Sequence, residues 1–256
     1  MKRQLRKVDQ DFTVRSFNAR AAVEKYSAAV DSVRLWESEK IFFSTHFKRS
    51  GRLLDLGCGA GRTTFWLWRG GYKHITGADI TPGMIRSARK LAKERGMPVD
   101  FVIADGRDLP FADGAFDGCL FSFNGLMQIP GRSNRIAVMK EVRRILKKKG
   151  TFVFVTHDRE TAGENLDFWE NEKERWRRKQ HDPRLLEYGD MIIHADGKKG
   201  KESFIHIPDR KEILACLKTA GLRHEEDRLL PEISEEPPRI RKLAYNCRFW
   251  AAVKPG

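Results

Sequence analysis

The residues with the clearest chemical potential form a glycine-rich loop behind a short apolar run. Residues 53–62 read LLDLGCGAGR, with glycine at positions 57, 59 and 61. Glycine adopts backbone conformations that other residues avoid, and it lets a ligand approach the main chain closely. Where a helix follows such a loop, its first N–H groups face the same space and attract polar or anionic groups. The pattern therefore predicts a site for a nucleotide-like ligand.

Acidic residues follow the next apolar runs along the chain. Asp79 lies 18 residues after the last loop glycine, where a carboxylate can accept hydrogen bonds from both hydroxyls of an adenosine ribose. Asp105 and Gly106 end a third run, and Ser-Phe-Asn-Gly at 122–125 ends a fourth. Ligands of open α/β sheets bind at the carboxyl ends of parallel strands, so we expect these groups to share one site.

The glycine spacing disfavours a nicotinamide cofactor. A dehydrogenase fingerprint has the form GxGxxG, whereas here the third glycine comes one residue early and Arg62 stands in the expected place. Structural interpretations exist as well: the glycines as a plain turn, and Asp79 or Asp105 as solvated or helix-capping acids. The joint spacing favours ligand binding for the loop and the acids. Cys58 is interpreted as a small buried residue and not as a nucleophile, because no histidine stands beside it.

The surrounding pattern predicts the elements that position these groups. Short runs that are apolar on both faces alternate with amphipathic helices, which is typical of a parallel sheet covered on both sides. We predict an α/β fold over residues 51–256, preceded by a cap of two or three helices over residues 1–50. The predicted strand runs are 53–56, 75–78, 101–104, 119–122, 152–155, 222–230 and 243–253.

Helix ends and one long insertion complete this prediction. Pro82, with Thr81 as its cap, opens a helix that stops at Gly96; others stop at Gly150 and run from 209 to 221. The polar segment 157–208 interrupts the alternation and is predicted as a lid. It comprises a helix over 165–179 and a hairpin of 191–194 with 204–207 around Asp196-Gly197. The prolines between 231 and 238 predict a loop.

Residues 50–157 resemble the class I S-adenosylmethionine-dependent methyltransferases, close to the type 11 and type 25 groups. The resemblance rests on the glycine loop, Asp79, Asp105-Gly106 followed by Leu-Pro-Phe at 109–111, and Asp-Gly-Ala-Phe-Asp at 113–117. It implies a Rossmann-like, seven-stranded and mostly parallel sheet whose last strand is reversed. It also implies S-adenosylmethionine as cofactor, S-adenosylhomocysteine as product, and no metal.

The resemblance implies a role for individual residues. Those that would hold or face the methionine end of the cofactor are Asp55, Gly57, Gly59, Gly61, Ser122 and Phe123. Those that would bind the adenosine are Asp79 at the ribose, Ile80 on the adenine, and Asp105 with Gly106 at the adenine amino group. Asn124 would lie at the border with the acceptor.

The predicted reaction is a direct displacement at the methyl carbon. Its sulfonium leaving group is already activated, so the protein mainly positions the nucleophile and excludes water. Acceptors that must lose a proton need a base, for which His157 is the candidate, with Asn124 as the second catalytic candidate. Candidate walls of the substrate pocket are Tyr26, Trp36, Met127, His194 and His206. For the aromatic residues the alternative is helix packing, and for the histidines it is exposure to solvent.

The charge of the chain raises an alternative acceptor. The 49 lysines and arginines against 35 acids give a net charge of +14, with basic runs at 2–7, 143–149, 173–178 and 198–201. Such runs suit RNA, so a tRNA or rRNA methyltransferase stands beside the small-molecule enzyme as the second hypothesis. Solvated surface explains the same runs without a polyanion.

Composition also bounds the location of the protein. There is no apolar run long enough for a transmembrane helix, and the basic start is followed by no signal-like segment. The four cysteines have no disulfide or zinc spacing. We therefore expect a cytoplasmic protein without a membrane partner, and the residues favour no particular oligomeric state.

Overall fold

The computed structural model describes residues 6–161, 166–194, 202–244 and 247–256. Within them the strands are β1 (Leu53–Leu56), β2 (Ile75–Asp79), β3 (Asp100–Ile103), β4 (Phe116–Phe121), β5 (Leu146–His157), β6 (Asp190–His194), β7 (Glu202–His206), β8 (Arg223–Leu229) and β9 (Cys247–Val253). The α-helices are α1 (Gln10–Asn18), α2 (Arg20–Ser32), α3 (Glu37–His46), α4 (Arg62–Arg69), α5 (Pro82–Glu94), α6 (Arg132–Ile145), α7 (Leu166–Arg177), α8 (Arg210–Ala220), α9 (Leu230–Ile233) and α10 (Pro238–Ala244).

Seven of these strands form the central sheet, in the order β3-β2-β1-β4-β5-β9-β8. Strands β1 to β5 are parallel, and β9 runs antiparallel to both of its neighbours. All four residues of β1 are buried, because helices cover both faces of the sheet. The predicted Rossmann-like sheet with a reversed last strand is confirmed.

Local signals in the sequence fix several connections as predicted. Pro82 stands in the first turn of α5, where its missing N–H costs no helical hydrogen bond. Asp209 caps α8 by accepting from the backbone N–H of Glu212 at 2.8 Å, and Gly221 ends that helix at φ 74°. Thr81 stands at the predicted cap position of α5, but its side chain makes no capping hydrogen bond.

The helix predicted to stop at Gly150 ends earlier, at Ile145. Residues 146–150 belong instead to β5, where the backbone of Lys149 donates to Lys254 and Lys254 donates to Gly150, both at 3.0 Å. This pairing with the end of the chain overrides the helical pattern of the lysine run. The proline segment was predicted as a loop, but the structure has the short helices α9 and α10 there. Proline stands in the first turn of α9 and is the first residue of α10, where it costs no helical hydrogen bond.

The insertion forms the predicted helix and hairpin. Helix α7 is present, and β6 pairs with β7 in antiparallel register from Asp190 opposite His206 to His194 opposite Glu202. The predicted turn at Asp196-Gly197, the basic run 198–201, the first helical residue Asn165 and most of the run 2–7 lie outside the described residues.

Helix α1 joins the insertion to the central sheet. The backbone N–H of Val8 donates to Arg184 at 2.9 Å, and Ser16 Oγ donates to the backbone of Glu202 at 2.9 Å. At its other end, Asn18 Oδ1 accepts from the backbone of Gly83 at the start of α5. The helix is thus held across the carboxyl ends of the strands. None of the helices in the described ranges is long and apolar enough to cross a membrane.

Candidate functional site

A cavity lies at the carboxyl ends of β1 to β4, where the sequence predicts the ligand. It contains about 810 Å³ of empty space, part of which is open solvent. Helices α1 and α2 form its roof with Gln10, Thr13, Phe17 and Tyr26. The strand ends, the turns after them and helices α5 and α6 supply Leu56, Gly57, Gly59, Asp79, Ile80, Thr81, Met84, Ala104, Asp105, Gly106, Phe121, Phe123, Asn124, Gly125, Gln128, Ile129 and Val138.

The glycine loop needs glycine for two different reasons. All three residues have positive φ, at 66° for Gly57, 55° for Gly59 and 92° for Gly61. A Cβ atom on Gly57 would lie 2.3 Å from the Phe121 ring, so packing excludes it there. At Gly59 no atom lies within 4 Å of that position, because the loop faces the open cavity. The loop is therefore a cradle open to a ligand on one side.

Asp79 ties this loop to the start of α5. Its Oδ2 accepts from the backbone N–H of Gly59 at 2.9 Å, and its Oδ1 accepts from the backbone of Thr81 at 2.8 Å. Burial raises the pKa of Asp79, and the two backbone hydrogen bonds act against this. The Thr81 side chain also hydrogen-bonds to Asp79. A carboxylate has about four lone-pair sites, so Asp79 can still accept a hydrogen bond from a ligand in the cavity.

Asp105 is paired within its own turn. Arg107 donates to both carboxylate oxygens, with the shortest contact 2.6 Å from Nη2 to Oδ2. Burial raises the pKa of Asp105, but the hydrogen bonds and charge of Arg107 outweigh it and hold the pKa below its usual value. The carboxylate is thus a fixed acceptor beside Gly106.

Asp55 and Cys58 lie beneath the loop. Asp55 is 1% exposed and accepts a hydrogen bond from Thr64 Oγ1 at 2.5 Å. Burial raises the pKa of Asp55 to about 7. Burial also raises the pKa of the Cys58 thiol, which agrees with the interpretation of Cys58 as a packing residue. Asp55 supports the loop from behind and does not line the cavity.

A buried ion pair that the sequence did not reveal supports the end of β4. Glu39 of α3 accepts from both terminal nitrogens of Arg62 at 2.7 Å, and it also accepts from Ser122 Oγ at 2.6 Å. The Arg62 guanidinium lies 5.7 Å from the ring centres of Trp36 and Phe123. Glu39 comes from a distant helix with no motif around it, so no local signal could have identified it.

The turn after β4 has an unusual backbone. Phe123 and Asn124 have φ values of 43° and 69°, a region that residues other than glycine seldom occupy. The next residue, Gly125, lies so close to the Phe121 ring that a Cβ atom there would be 1.9 Å from it. Strain of this kind is concentrated at functional sites, and here it presents Asn124 to the cavity.

The structure brings together most of the predicted cofactor residues. Those that line the cavity are Gly57, Gly59, Asp79, Ile80, Asp105, Gly106 and Phe123, joined by the acceptor candidates Asn124 and Tyr26. Asp55, Gly61 and Ser122 do not line it. Gly61 packs instead against Phe65, and Ser122 faces Glu39. These three positions support the residues that line the cavity.

His157 does not reach the cavity. Its backbone N–H lies 3.1 Å from Met127 Sδ, and its Nδ1 lies 3.8 Å from the Cys247 sulfur. Its position therefore does not support the predicted role as a base. Met127 was predicted to line the substrate pocket, but it is 1% exposed and packs with Trp169, Ile205 and Ile207 in the insertion.

The remaining wall candidates also lie elsewhere. Trp36 is buried behind the cavity and meets Phe123 edge-on, with ring centres 5.2 Å apart. His194 is exposed on the hairpin, 4.0 Å from Glu202. His206 is wholly buried between two carboxylates, with Nδ1 2.8 Å from Asp190 and Nε2 2.8 Å from Glu212. Tertiary packing, which the patterns of single segments do not encode, decides all three positions.

The cluster around His206 has the residue types of a metal site, but an arginine donates hydrogen bonds to its carboxylates. Ligand atoms of Glu187, Asp190 and His206 lie within 4.8 Å of one another. Buried Arg135 donates to Glu187 and Glu212 at 2.9 Å and lies 3.2 Å from His206. We interpret the cluster as an ionic connection between the insertion and helices α6 and α8.

The described basic runs are not directed at the cavity. Residues 147–149 line a polar depression at the amino ends of the strands, together with Leu53 at the start of β1, whereas the cavity lies at the other end of β1. Lys147 pairs with Asp117 at 2.8 Å, and Arg177 and Arg178 both pair with Glu174. This arrangement favours the solvated-surface interpretation for these runs.

Comparisons with known proteins agree with this geometry. Residues 53–150 match the family model of the methyltransferase domain. A demethylmenaquinone methyltransferase of Thermus thermophilus is 42% identical over 77 residues, which are 30% of this chain and 35% of that protein. The matched segment spans less than half the length of the first curated relatives.

Solved structures extend the likeness to the whole fold. A S-adenosylmethionine-dependent methyltransferase from Methanosarcina mazei superposes with a TM-score of 0.66 at 22% identity, covering 84% of this chain and 97% of its own. The 1,6-didemethyltoxoflavin-N1-methyltransferase of Burkholderia thailandensis, solved with 1,6-didemethyltoxoflavin and S-adenosylhomocysteine bound, gives 0.57 at 16% identity, over 95% and 85% of the two chains. Residues 53–150 therefore match a methyltransferase domain, and the chain has the fold of S-adenosylmethionine-dependent methyltransferases.

Proposed function

We propose that this protein transfers a methyl group from S-adenosylmethionine to a small-molecule acceptor by direct displacement. The observation that carries the proposal is the cavity at the carboxyl ends of β1 to β4, which combines the open glycine cradle with the Asp79 carboxylate. The methyltransferase family match and the small molecules in the names of the similar proteins support it.

The residues of the cavity fit the proposed cofactor. Gly59 leaves open space beside the loop backbone, and Asp79 offers lone pairs to the ribose hydroxyls. Ile80 supplies an apolar surface for the adenine, and Asp105 with the Gly106 backbone would face its edge. Bound there, S-adenosylmethionine supplies an electrophilic methyl group on a positively charged sulfur.

The contribution of the protein is mainly positional. The ion pair of Glu39 with Arg62 fixes the end of β4 through Ser122, and the strained turn holds Asn124 at the cavity. Helix α1 closes the cavity from above, because Thr13 Oγ1 donates to the backbone of Gln128 at 3.1 Å. Orienting two reactants and excluding water in this way can lower a barrier by about 7–11 kcal/mol.

A transfer experiment with isotope-labelled S-adenosylmethionine tests the proposal. The protein is incubated separately with a metabolite extract and with total RNA, and the label in each fraction is measured. We expect label in the metabolite fraction, and none with Asp79→Ala, since that variant removes the ribose acceptor. Label confined to RNA, or no labelled product in either fraction, contradicts the proposal.

A further inference from the structure

The cavity contains two side-chain amides whose oxygens lack a donor. Asn124 Oδ1 and Gln128 Oε1 are shielded from solvent, and within the described part of the chain neither accepts a hydrogen bond. Both residues line the cavity. Buried carbonyl oxygens are almost always hydrogen-bonded in folded proteins. A ligand that brings N–H or O–H donors to this point satisfies both oxygens.

The two amides belong to one turn of the chain. The backbone N–H of Gln128 donates to the backbone oxygen of Asn124 at 3.1 Å, so the residues are one helical turn apart. Both side chains line the same cavity. The left-handed backbone of Asn124 and the hydrogen bond from Thr13 to the Gln128 backbone fix this turn. Both amides are therefore available to a ligand in this cavity.

Ionisable side chains are confined to the other part of the cavity. Among the described lining residues, those that titrate are Tyr26, Asp79 and Asp105. Both acids belong to the proposed adenosine site. Burial, followed by the charge of Asp79, raises the pKa of Tyr26, so this phenol stays protonated. Among the described lining residues, the turn with Asn124 and Gln128 thus contributes hydrogen-bond acceptors and no ionisable side chain.

This chemistry selects the acceptor atom. A hydroxyl or thiol must lose its proton to become a good nucleophile, and outside the proposed adenosine site the described lining residues offer no carboxylate or imidazole to take that proton. A neutral amine already has a free electron pair, and its N–H groups can donate to both oxygens. The pair then points away from the amides.

We propose that the acceptor atom is the nitrogen of a neutral amino group, held by donation to Asn124 Oδ1 and Gln128 Oε1. The amine nitrogen supplies the electron pair of the new N–C bond, the methyl C–S bond breaks with its pair going to sulfur, and one N–H proton passes to water. Phe17 and Ile129 line the same cavity, so the amino group is carried on an apolar body. This inference rests on the proposed methyl transfer.

The identity of the product gives the first test. The protein is incubated with S-adenosylmethionine labelled in its methyl carbon and a metabolite extract supplemented with primary aromatic and aliphatic amines and their hydroxyl analogues. The NMR shift of the labelled carbon distinguishes N-, O-, S- and C-methyl products. We expect N-methyl products. Transfer to oxygen, sulfur or carbon, or the absence of any methylated amine, overturns the inference.

A charged variant distinguishes an amine acceptor from a hydroxyl acceptor, because the two predict opposite changes in kcat/KM. A carboxylate in Gln128→Glu stabilises the ammonium form of an amine, so we expect kcat/KM near neutral pH to fall about tenfold or more and to recover as the pH rises. For a hydroxyl acceptor the same carboxylate is a general base, and activity would rise. Gln180→Glu, on the exposed surface, is the control and should leave the rate unchanged.

Binding of S-adenosylhomocysteine separates this inference from the proposed function. The dissociation constant is measured by calorimetry for the wild type, Gln128→Leu and Gln180→Glu. We expect equal affinities, with the loss in Gln128→Leu confined to kcat/KM for the amine, on the order of tenfold. A matching loss of S-adenosylhomocysteine affinity would assign the amide to the cofactor and overturn the inference. No binding by the wild type would overturn the proposed function itself.

Discussion

Asp55 shows how a single residue of the glycine loop couples the fold to pH. Its carboxyl group is buried beneath the loop with one hydrogen bond from Thr64. Loss of hydration outweighs this hydrogen bond and raises its pKa from 3.8 to about 7. The group therefore retains a proton in the folded chain at pH values at which the unfolded chain has already released it.

The sign of the pH effect follows from that difference. Between about pH 4 and pH 7 the folded state binds more protons at Asp55 than the unfolded state, so its contribution to stability falls as the pH rises, by up to about 1.4 kcal/mol per unit. We expect Asp55→Asn, which cannot ionise, to remove this slope. Urea unfolding of both proteins across this range measures it. Parallel pH profiles of the two proteins would contradict the assignment.

Among single residues, the sequence identified those that need a special backbone conformation and those that stand at the spacing of a known motif. Gly57, Gly59 and Asp79 were predictable because a glycine loop and a carboxylate at a fixed separation have few other uses. Glu39 was not, because its partners Arg62 and Ser122 lie far away in the chain. Gln128 could have been found, since it stands four residues after Asn124 in a segment already singled out.

Among the elements, the insertion is held to helices α6 and α8 by a buried ionic cluster. His206 on β7 lies between Asp190 and Glu212, and Arg135 of α6 joins Glu187 and Glu212. Burial lowers the pKa of His206, but hydrogen bonds to the two carboxylates outweigh it, so the net shift is upward. The same cluster lowers the pKa of Glu212 to about 2 against the effect of burial.

A neutral variant at His206 tests this connection. The raised pKa means that the imidazolium stabilises the fold fully below the unfolded value of 6.5, and that this stabilisation is lost as the pH rises through the folded pKa. We expect the free energy of unfolding of the wild type to exceed that of His206→Gln most at low pH and progressively less above it. His194→Gln, on the exposed hairpin, is the control. A difference independent of pH would show that His206 acts by packing alone.

The elements themselves were predicted well where the pattern repeats and poorly where distant chain segments meet. The alternation of apolar runs and helices predicted the parallel strands, and the reversed last strand followed from the family resemblance. The start of β5 was missed, because the lysines at 147–149 become a strand only through pairing with Lys254. A cap over residues 1–50 was expected, but the contacts of α1 with the insertion were likewise invisible in the sequence.

For the whole molecule, the net charge is +14, and the described basic run at 147–149 lies away from the site. The run 147–149 lies at the amino ends of the strands, with Lys147 paired to Asp117. The donor site depends on glycines and carboxylates. The run 147–149 is therefore a property of the surface and gives no support to an RNA acceptor.

A charge reversal tests this separation. Replacing Lys148 and Lys149 by glutamate changes the net charge by four units, yet we expect the affinity for S-adenosylhomocysteine and the KM of the acceptor to stay within about twofold, because the change lies beyond the screening length of salt. Initial rates at two salt concentrations measure this. A large rise in the acceptor KM of the variant, together with a similar rise for the wild type at the higher salt concentration, would show that the basic surface binds the acceptor.

The central claim is that the cavity at the carboxyl ends of β1 to β4 binds S-adenosylmethionine through Asp79, and calorimetric titration with S-adenosylhomocysteine tests it most directly. Asp113→Ala is the matched control, since that carboxylate is on the surface. Asp79→Ala removes the charge-assisted hydrogen bonding to the ribose hydroxyls, so we expect it to weaken binding on the order of 100-fold. We expect Asp113→Ala to leave binding unchanged. Absence of binding by the wild type, or equal binding by Asp79→Ala, would contradict the account.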